Sequence, residues 1–150
     1  MICAPAPGAL FDRLQIPMMV KQNQDSLKTA YTVSIDAAKN TTTGISARDR
    51  STTIQLLANP NCVASDFNRP GHVFPLRAVE GGVLARVGHT EASIDLCRLA
   101  GLTQVAAISE ICLDNGEMAR RDDLVKFCKQ WNLKLITISD LVKYRVLHNL

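Results

Sequence analysis

Three short runs gather the residue types that hold and act on a small anionic molecule. Arg69-Pro-Gly-His-Val-Phe-Pro-Leu-Arg77 and Arg86-Val-Gly-His-Thr-Glu91 each set a histidine directly after a glycine, where the backbone can bend sharply and lie close to a ligand. Thr41-Thr-Thr-Gly-Ile-Ser-Ala-Arg-Asp49 adds hydroxyls and a further glycine. The guanidinium of Arg86 suits phosphate oxygens, and Thr43 and Thr90 offer neutral donors. His89, with Glu91 close behind, is a candidate metal ligand, its alternative being a structural histidine. His72 follows Pro70-Gly71 and precedes an apolar strand, a setting that also suits a buried histidine bonded to backbone. Glu110 interrupts an otherwise apolar run, Ala106 to Leu113, where an unpaired carboxylate is costly to bury. It needs a partner or a chemical role, and burial would move its titration toward the range useful for proton transfer. Arg69 and Arg77 are open between ligand contact and a surface or dimer salt bridge. Asp49 and Asp95 are read as helix residues, and Arg120-Arg121 as a solvated pair.

The elements that must position these residues are legible as patterns. Tyr31 to Asp36 alternates apolar and polar residues and predicts a half-buried strand. Ser46 predicts a helix cap, with Asp49 placed to return a bond and the helix running toward Leu57 before Asn59-Pro60-Asn61. His72 to Arg77 and Val83 to Arg86 read as strands joined at Glu80-Gly81-Gly82, a hairpin candidate. Thr90 is a candidate cap for a helix from Glu91 to Ala100 that keeps Ala92, Leu96, Leu99 and Ala100 on one face and ends at Gly101. The start of that helix, with free N–H groups and the positive end of the dipole, favours an anion beside Arg86. Gln104 to Leu113 predicts a mostly buried strand followed by a turn at Asp114-Asn115-Gly116. Asp122 to Trp131 predicts an amphipathic helix whose Leu124, Phe127, Cys128 and Trp131 face the core. Lys134 to Ile138 predicts a strand, and Ser139 the cap of a last helix carrying Leu141 and Val142. Strands outnumbering crossover helices predict an α+β fold, a mixed β-sheet flanked by helices.

The 150 residues, 47% apolar, suit one domain spanning 1–150. A net charge of +3 with scattered lysines and arginines gives no support to nucleic-acid binding. No apolar run approaches the roughly 18 residues needed to span a bilayer, and the segment before Ala9 lacks the basic region of a signal peptide. Five cysteines without Cys-x-x-Cys spacing argue against a disulfide scaffold or zinc knuckle and for packing of small apolar groups. A reducing, cytoplasmic setting is the expectation.

In order and spacing, the three runs resemble the 3,4-dihydroxy-2-butanone 4-phosphate synthase family of riboflavin biosynthesis. The resemblance takes in Leu14-Gln-Ile-Pro-Met-Met-Val20, Tyr31-Thr-Val-Ser-Ile-Asp36, Ala106-Ala-Ile-Ser-Glu-Ile111, Asn115-Gly-Glu-Met-Ala-Arg120 and Ile136-Thr-Ile-Ser-Asp-Leu141, and covers almost the whole chain. It implies conversion of D-ribulose 5-phosphate to L-3,4-dihydroxy-2-butanone 4-phosphate and formate, without a redox cofactor. It also implies Mg2+ (or Mn2+) bound by His89, proton transfer by His72 and Glu110, and substrate contact from Thr43, Arg86, Val87, Gly88, His89, Thr90 and Glu110. A homodimer with active sites at the interface is implied as well. Met1-Ile-Cys3 resembles the tail of the family's Ser-Gly-x-Ile-Cys strand, so the expectation is a domain without the family's N-terminal acidic metal-binding loop. One histidine without that loop's carboxylate holds magnesium poorly. Beside the enzyme stand two other readings: a non-catalytic, phosphate-binding or dimerising remnant, and a piece of a longer enzyme. Loss of N-terminal core strands would leave apolar faces open and the chain marginally stable.

Overall fold

The computed structural model describes residues 1–150. Its sheet has three strands in the order β1-β3-β2, with β1 (Cys3–Pro7), β2 (Ile35–Ala37) and β3 (Phe67–Ala78). β1 runs parallel to β3, Cys3 facing Phe74, while β2 is antiparallel to it. The helices are α1 (Gly8–Arg13), α2 (Ala47–Leu57), α3 (His89–Leu99), α4 (Arg121–Gln130) and α5 (Ile138–Leu147). This is the α+β, mixed-sheet arrangement expected from the element pattern.

The main core lies between the sheet and the first two helices. Ala4 and Ala6 of β1, Phe11 of α1, Ile35 of β2, Leu57 of α2 and Val73 of β3 are fully or almost fully buried there. A smaller cluster joins Val83, Ala92 and Leu141, which fastens α5 to the start of α3. Ser46 caps α2 as expected, its hydroxyl accepting from the Asp49 N–H at 3.0 Å.

Five expected elements form differently. The strand expected over Tyr31 to Asp36 is confined to Ile35–Ala37, with single bridges at Tyr31 and Thr32. A break in register between Ile35 and Asp36 limits it: Ile35 faces Val73, but Asp36 faces Asn68. Val83 to Arg86 is not a hairpin strand. Gly81 and Gly82 both have positive φ, +93° and +64°, and coil the chain into a 3-10 turn over Gly82–Leu84 that feeds α3. Gln104 to Leu113 forms no regular strand and Glu110 is exposed. This segment runs antiparallel to β1, and Cys3 and Ile108 exchange both backbone bonds, at 2.9 and 3.0 Å. At the next position Ala106 donates to Pro5, 3.1 Å, and a proline has no N–H to return. The pairing is therefore one-sided and ends. Lys134 to Ile138 is exposed coil until α5 begins, and Thr137, not Ser139, caps that helix, accepting from Asp140 N–H at 3.1 Å.

α4 forms over the expected residues but is not core. None of its residues is buried, and Trp131 is 60% exposed, because no neighbouring element covers the apolar stripe. In α3, Ala92 is buried whereas Leu96 is 42% exposed. The helix passes to Gly101, whose φ of +68° ends it as the sequence implied. The cysteines are all free, with Cys3 and Cys62 buried and Cys112 exposed, so packing accounts for the first two and not for Cys112.

Candidate active site

His72 leaves β3 at the break in the β2–β3 ladder. With Asp36 shifted to face Asn68, the His72 N–H has no backbone acceptor across the sheet, and the Asp36 carboxylate takes it at 2.8 Å. The other carboxylate oxygen meets His72 Nδ1 at 2.7 Å. An ionised carboxylate only accepts, so Nδ1 carries a proton and, in the neutral imidazole, Nε2 presents its lone pair. The Asp36 side chain is 11% exposed and that of His72 42%: the carboxylate is shielded while the imidazole meets solvent. The alternative of a buried, backbone-bonded histidine is overturned. Asp36 was not among the residues singled out from the sequence; the one available signal was a carboxylate ending an alternating strand.

A second loop closes on this pair. Gly44 has φ +93°, and a Cβ there would lie 2.1 Å from Asp36 Oδ2 and 2.6 Å from His72 Nδ1. Only glycine allows the Thr41–Ile45 loop to approach so closely. Asp49 anchors that loop, accepting from the Thr42 hydroxyl at 2.7 Å and the Gly44 N–H at 3.0 Å. The Thr42 bond, ahead of the Gly44 and Ser46 bonds, holds the Asp49 carboxyl below the usual carboxylate range. Asp49 is thus a buried loop anchor, more than a helix residue. Thr53 adds a tie from α2, its hydroxyl accepting from the Ala37 N–H at 2.9 Å. Thr43, beside Gly44, is exposed and therefore open to a ligand.

The second cluster sits where β3 hands over to α3. Gly88 is the N-cap residue, so His89 and Thr90 open the helix; the expected cap, Thr90, lies two residues too deep and is 5% exposed. The backbone turns at glycine and needs no hydroxyl cap. Arg86 Nη1 donates to Glu91 Oε2 at 2.6 Å, and its Nη2 to the Leu27 carbonyl at 2.8 Å. Glu91, 1% exposed, also accepts from the Val79 N–H at 3.0 Å. A side chain on Gly88 would lie 2.2 Å from Arg86 Nη1, so the glycine lets Arg86 cross to Glu91. Two of the five guanidinium N–H groups are then committed and three remain. They lie beside first-turn N–H groups that have no helical acceptor. Val87 is 69% exposed and turned outward.

His89 is exposed at this helix start. No three His, Cys, Asp or Glu side chains converge anywhere in the structure, and the nearby Glu91 carboxylate is engaged by Arg86 and Val79. One imidazole is not the oxygen-rich set that magnesium requires, so these residues alone do not make up a magnesium site. Glu110 is exposed at the end of the segment paired with β1. Its exposure removes the burial that the sequence reading required, because the segment carrying it lies on the outer side of β1. Its charge is nonetheless felt at Cys3, whose thiol is pushed up first by burial and then by Glu110. Arg69 makes no salt bridge and instead clamps the carbonyls of Leu14 and Phe67 at 2.6 and 3.1 Å. Arg77 makes a surface salt bridge, a fork onto Asp12 with both bonds at 2.7 Å. Asp95 is a buried partner of Arg145, 2.9 Å away. Arg120 and Arg121 are solvated.

The clusters are separated within one chain. Glu91 ties Arg86 to Val79, seven residues beyond His72 and just past the end of β3, a run on the order of 20 Å in extended chain.

Comparison with known proteins fits this geometry. The family model for 3,4-dihydroxy-2-butanone 4-phosphate synthase matches residues 1–144. A 3,4-dihydroxy-2-butanone 4-phosphate synthase of Schizosaccharomyces pombe is 53% identical over 145 residues, 95% of this chain and 71% of the relative. A chloroplastic monofunctional riboflavin biosynthesis protein of Arabidopsis thaliana is 54% identical over 146 residues, 96% of this chain but 31% of its own length. A 3,4-dihydroxy-2-butanone 4-phosphate synthase solved with two magnesium ions superposes with a TM-score of 0.90 at 48% identity, over 95% of this chain and 72% of that one. With its dyad, its Gly44 loop and its Arg86 cluster set in that fold, the chain belongs to the 3,4-dihydroxy-2-butanone 4-phosphate synthase family.

Proposed function

We propose that this chain acts in riboflavin biosynthesis, converting D-ribulose 5-phosphate to L-3,4-dihydroxy-2-butanone 4-phosphate and formate. The observation that carries the reading is the His72–Asp36 pair, 2.7 Å apart, closed by Gly44 and open to solvent at Nε2. The reaction begins with removal of a proton beside a carbonyl, and all atoms of the sugar phosphate reappear in the two products, so no oxidant is required. His72 Nε2 takes that proton as general base, and the Asp36 carboxylate stabilises the imidazolium that forms. Arg86, held at its angle by Glu91, receives the phosphate with the first-turn N–H groups of His89 and Thr90; Thr43 adds a hydroxyl from the other loop. Glu110 is proposed as a second proton-transfer group.

A five-carbon sugar phosphate is shorter than the separation between His72 and Arg86 in one chain. That supports a homodimer in which His72 of one copy serves the Arg86 cluster of the other. The family's divalent cation, Mg2+ or Mn2+, would supply electrophilic stabilisation of the developing negative charge, and His89 is the residue that would hold it from this chain's clusters. Its oxygen ligands are not among these clusters, so no step is drawn through it. No helix is long and apolar enough to cross a membrane, and a cytoplasmic location is proposed.

The test is formate release from D-ribulose 5-phosphate, with and without Mg2+, for the chain and for His72→Ala and Arg86→Ala. Turnover abolished by His72→Ala and impaired in KM by Arg86→Ala is expected. Phosphate binding without formate release would favour the remnant, and turnover insensitive to both substitutions would sink the assignment.

A further inference from the structure

The Arg86 cluster is held from a distance by a buried pair the reaction does not use. Asp95 of α3 and Arg145 of α5 are 2.9 Å apart with side chains 5% and 7% exposed. Each also grips the turn that leads to Arg86: the Asp95 carboxylate accepts from the Val83 N–H at 2.8 Å, and Arg145 Nη1 donates to the Gly81 carbonyl at 2.7 Å. Gly82 lies between these two grips. A Cβ on Gly82 would stand 2.3 Å from Asp95 Oδ1, so the turn rests directly on the carboxylate. The Gly82 carbonyl in turn accepts from the N–H groups of Ala85 and Arg86, at 3.0 and 3.1 Å, and the Arg86 carbonyl from Gly88 at 2.9 Å. An unbroken chain of bonds thus runs from the buried pair to the phosphate-facing arginine and the residue before His89. On α5, Arg145 is anchored a second time, Nε and Nη2 meeting the main-chain oxygen of Leu150 at 3.0 and 2.8 Å.

We infer that Asp95 and Arg145 are positioning residues for substrate binding: through Gly81, Gly82 and Val83 they set the place of Arg86 and His89, making the last helix part of the anion site without touching it. The inference rests on the proposed reading of Arg86 as phosphate ligand. A plain packing role would lower stability and leave the kinetics of folded protein alone. A positioning role shifts the anion site, where a displacement of about 1 Å costs up to roughly 100-fold.

The experiment uses the whole chain with Arg145→Lys, Asp95→Asn and Gly82→Ala, and with Lys143→Ala on the exposed face of α5 as control. Substrate kinetics are measured in the cold, where circular dichroism shows each variant folded. For Arg145→Lys and Asp95→Asn we expect kcat/KM to fall by about 10- to 100-fold, mainly through KM for D-ribulose 5-phosphate. The pH profile of kcat stays in place, and the backbone amide resonances of Arg86 and Gly88 shift. Gly82→Ala presses on the turn from the opposite side and reads the same effect if one of the other variants does not fold. Folded variants with unchanged kcat/KM and unshifted Arg86 and Gly88 amides overturn the inference. If the unsubstituted chain releases no formate, the proposed function fails by itself. The positioning role is then read from those amides and from affinity for inorganic phosphate: shifted amides with weaker phosphate binding support it, and unchanged values overturn it.

Discussion

Asp36→Asn changes the chemistry of the dyad while sparing its shape. Asparagine fits the same volume, and its Oδ1 can still accept the His72 N–H now bonded at 2.8 Å. Its other terminal atom becomes an NH2 group facing Nδ1, across the contact that is 2.7 Å in the parent chain. Two donors cannot face each other, so Nδ1 must become the acceptor and the ring proton moves to Nε2. The nitrogen open to substrate then has no lone pair with which to take a proton. General-base catalysis is worth about 10²- to 10⁴-fold, or roughly 3 to 5 kcal/mol of barrier. The stability change should be about 1 kcal/mol, the scale of one altered hydrogen bond. Formate release in single turnover measures the first quantity, urea denaturation the second, and long-range 15N–1H correlation of the imidazole reports the tautomer. Activity lowered by less than about tenfold, or a His72 ring that keeps its Nδ1 proton, would refute the assignment of Nε2 as the base.

Other perturbations follow from the same structure. Gly44→Ala places a Cβ 2.1 Å from Asp36 Oδ2 in a backbone with φ +93°; we expect a loss of about 1 to 2 kcal/mol from the backbone alone, seen as a lower urea midpoint, with formate release falling alongside. The Asp49 carboxyl titrates below its ordinary 3.8 in the folded chain, chiefly because of the Thr42 hydroxyl. The stability it contributes is therefore complete above that value and lost as pH falls below it, so Asp49→Asn should flatten the acid limb of a stability–pH curve, and an unaltered limb would contradict the anchoring role. A thiol reagent should label exposed Cys112 first, while Cys3 and Cys62 react only on unfolding. Cys3 is slowed further by burial that raises its thiol, and rapid Cys3 labelling in folded protein would show that β1 opens.

Short-range chemistry made much of the molecule readable from its residues. The Ser46 cap, the stop at Gly101, the turn at Asn115-Gly116, helices α2 to α5 and the His72–Arg77 part of β3 depend on backbone preferences and periodicity within a few residues, which a sequence states directly; α1 and the Phe67–Gly71 start of β3 carry no such signal and were not read from it. So do the three glycine-bearing runs, and these carried the family resemblance that the comparisons then showed. What tertiary structure decided are the pairings across long separations. Asp36 reaches His72 because a register break frees one N–H, Glu91 becomes a buried brace because Val79 and Arg86 converge on it, and Asp95 finds Arg145 fifty residues away. Exposure was decided there too. Glu110 and Trp131 sit in apolar patterns that call for burial, yet what covers a segment depends on its neighbours. Pro5 cannot return a hydrogen bond to the 104–111 segment, and no element lies over α4. A pattern specifies which face is apolar; only the assembled chain specifies whether anything packs against it.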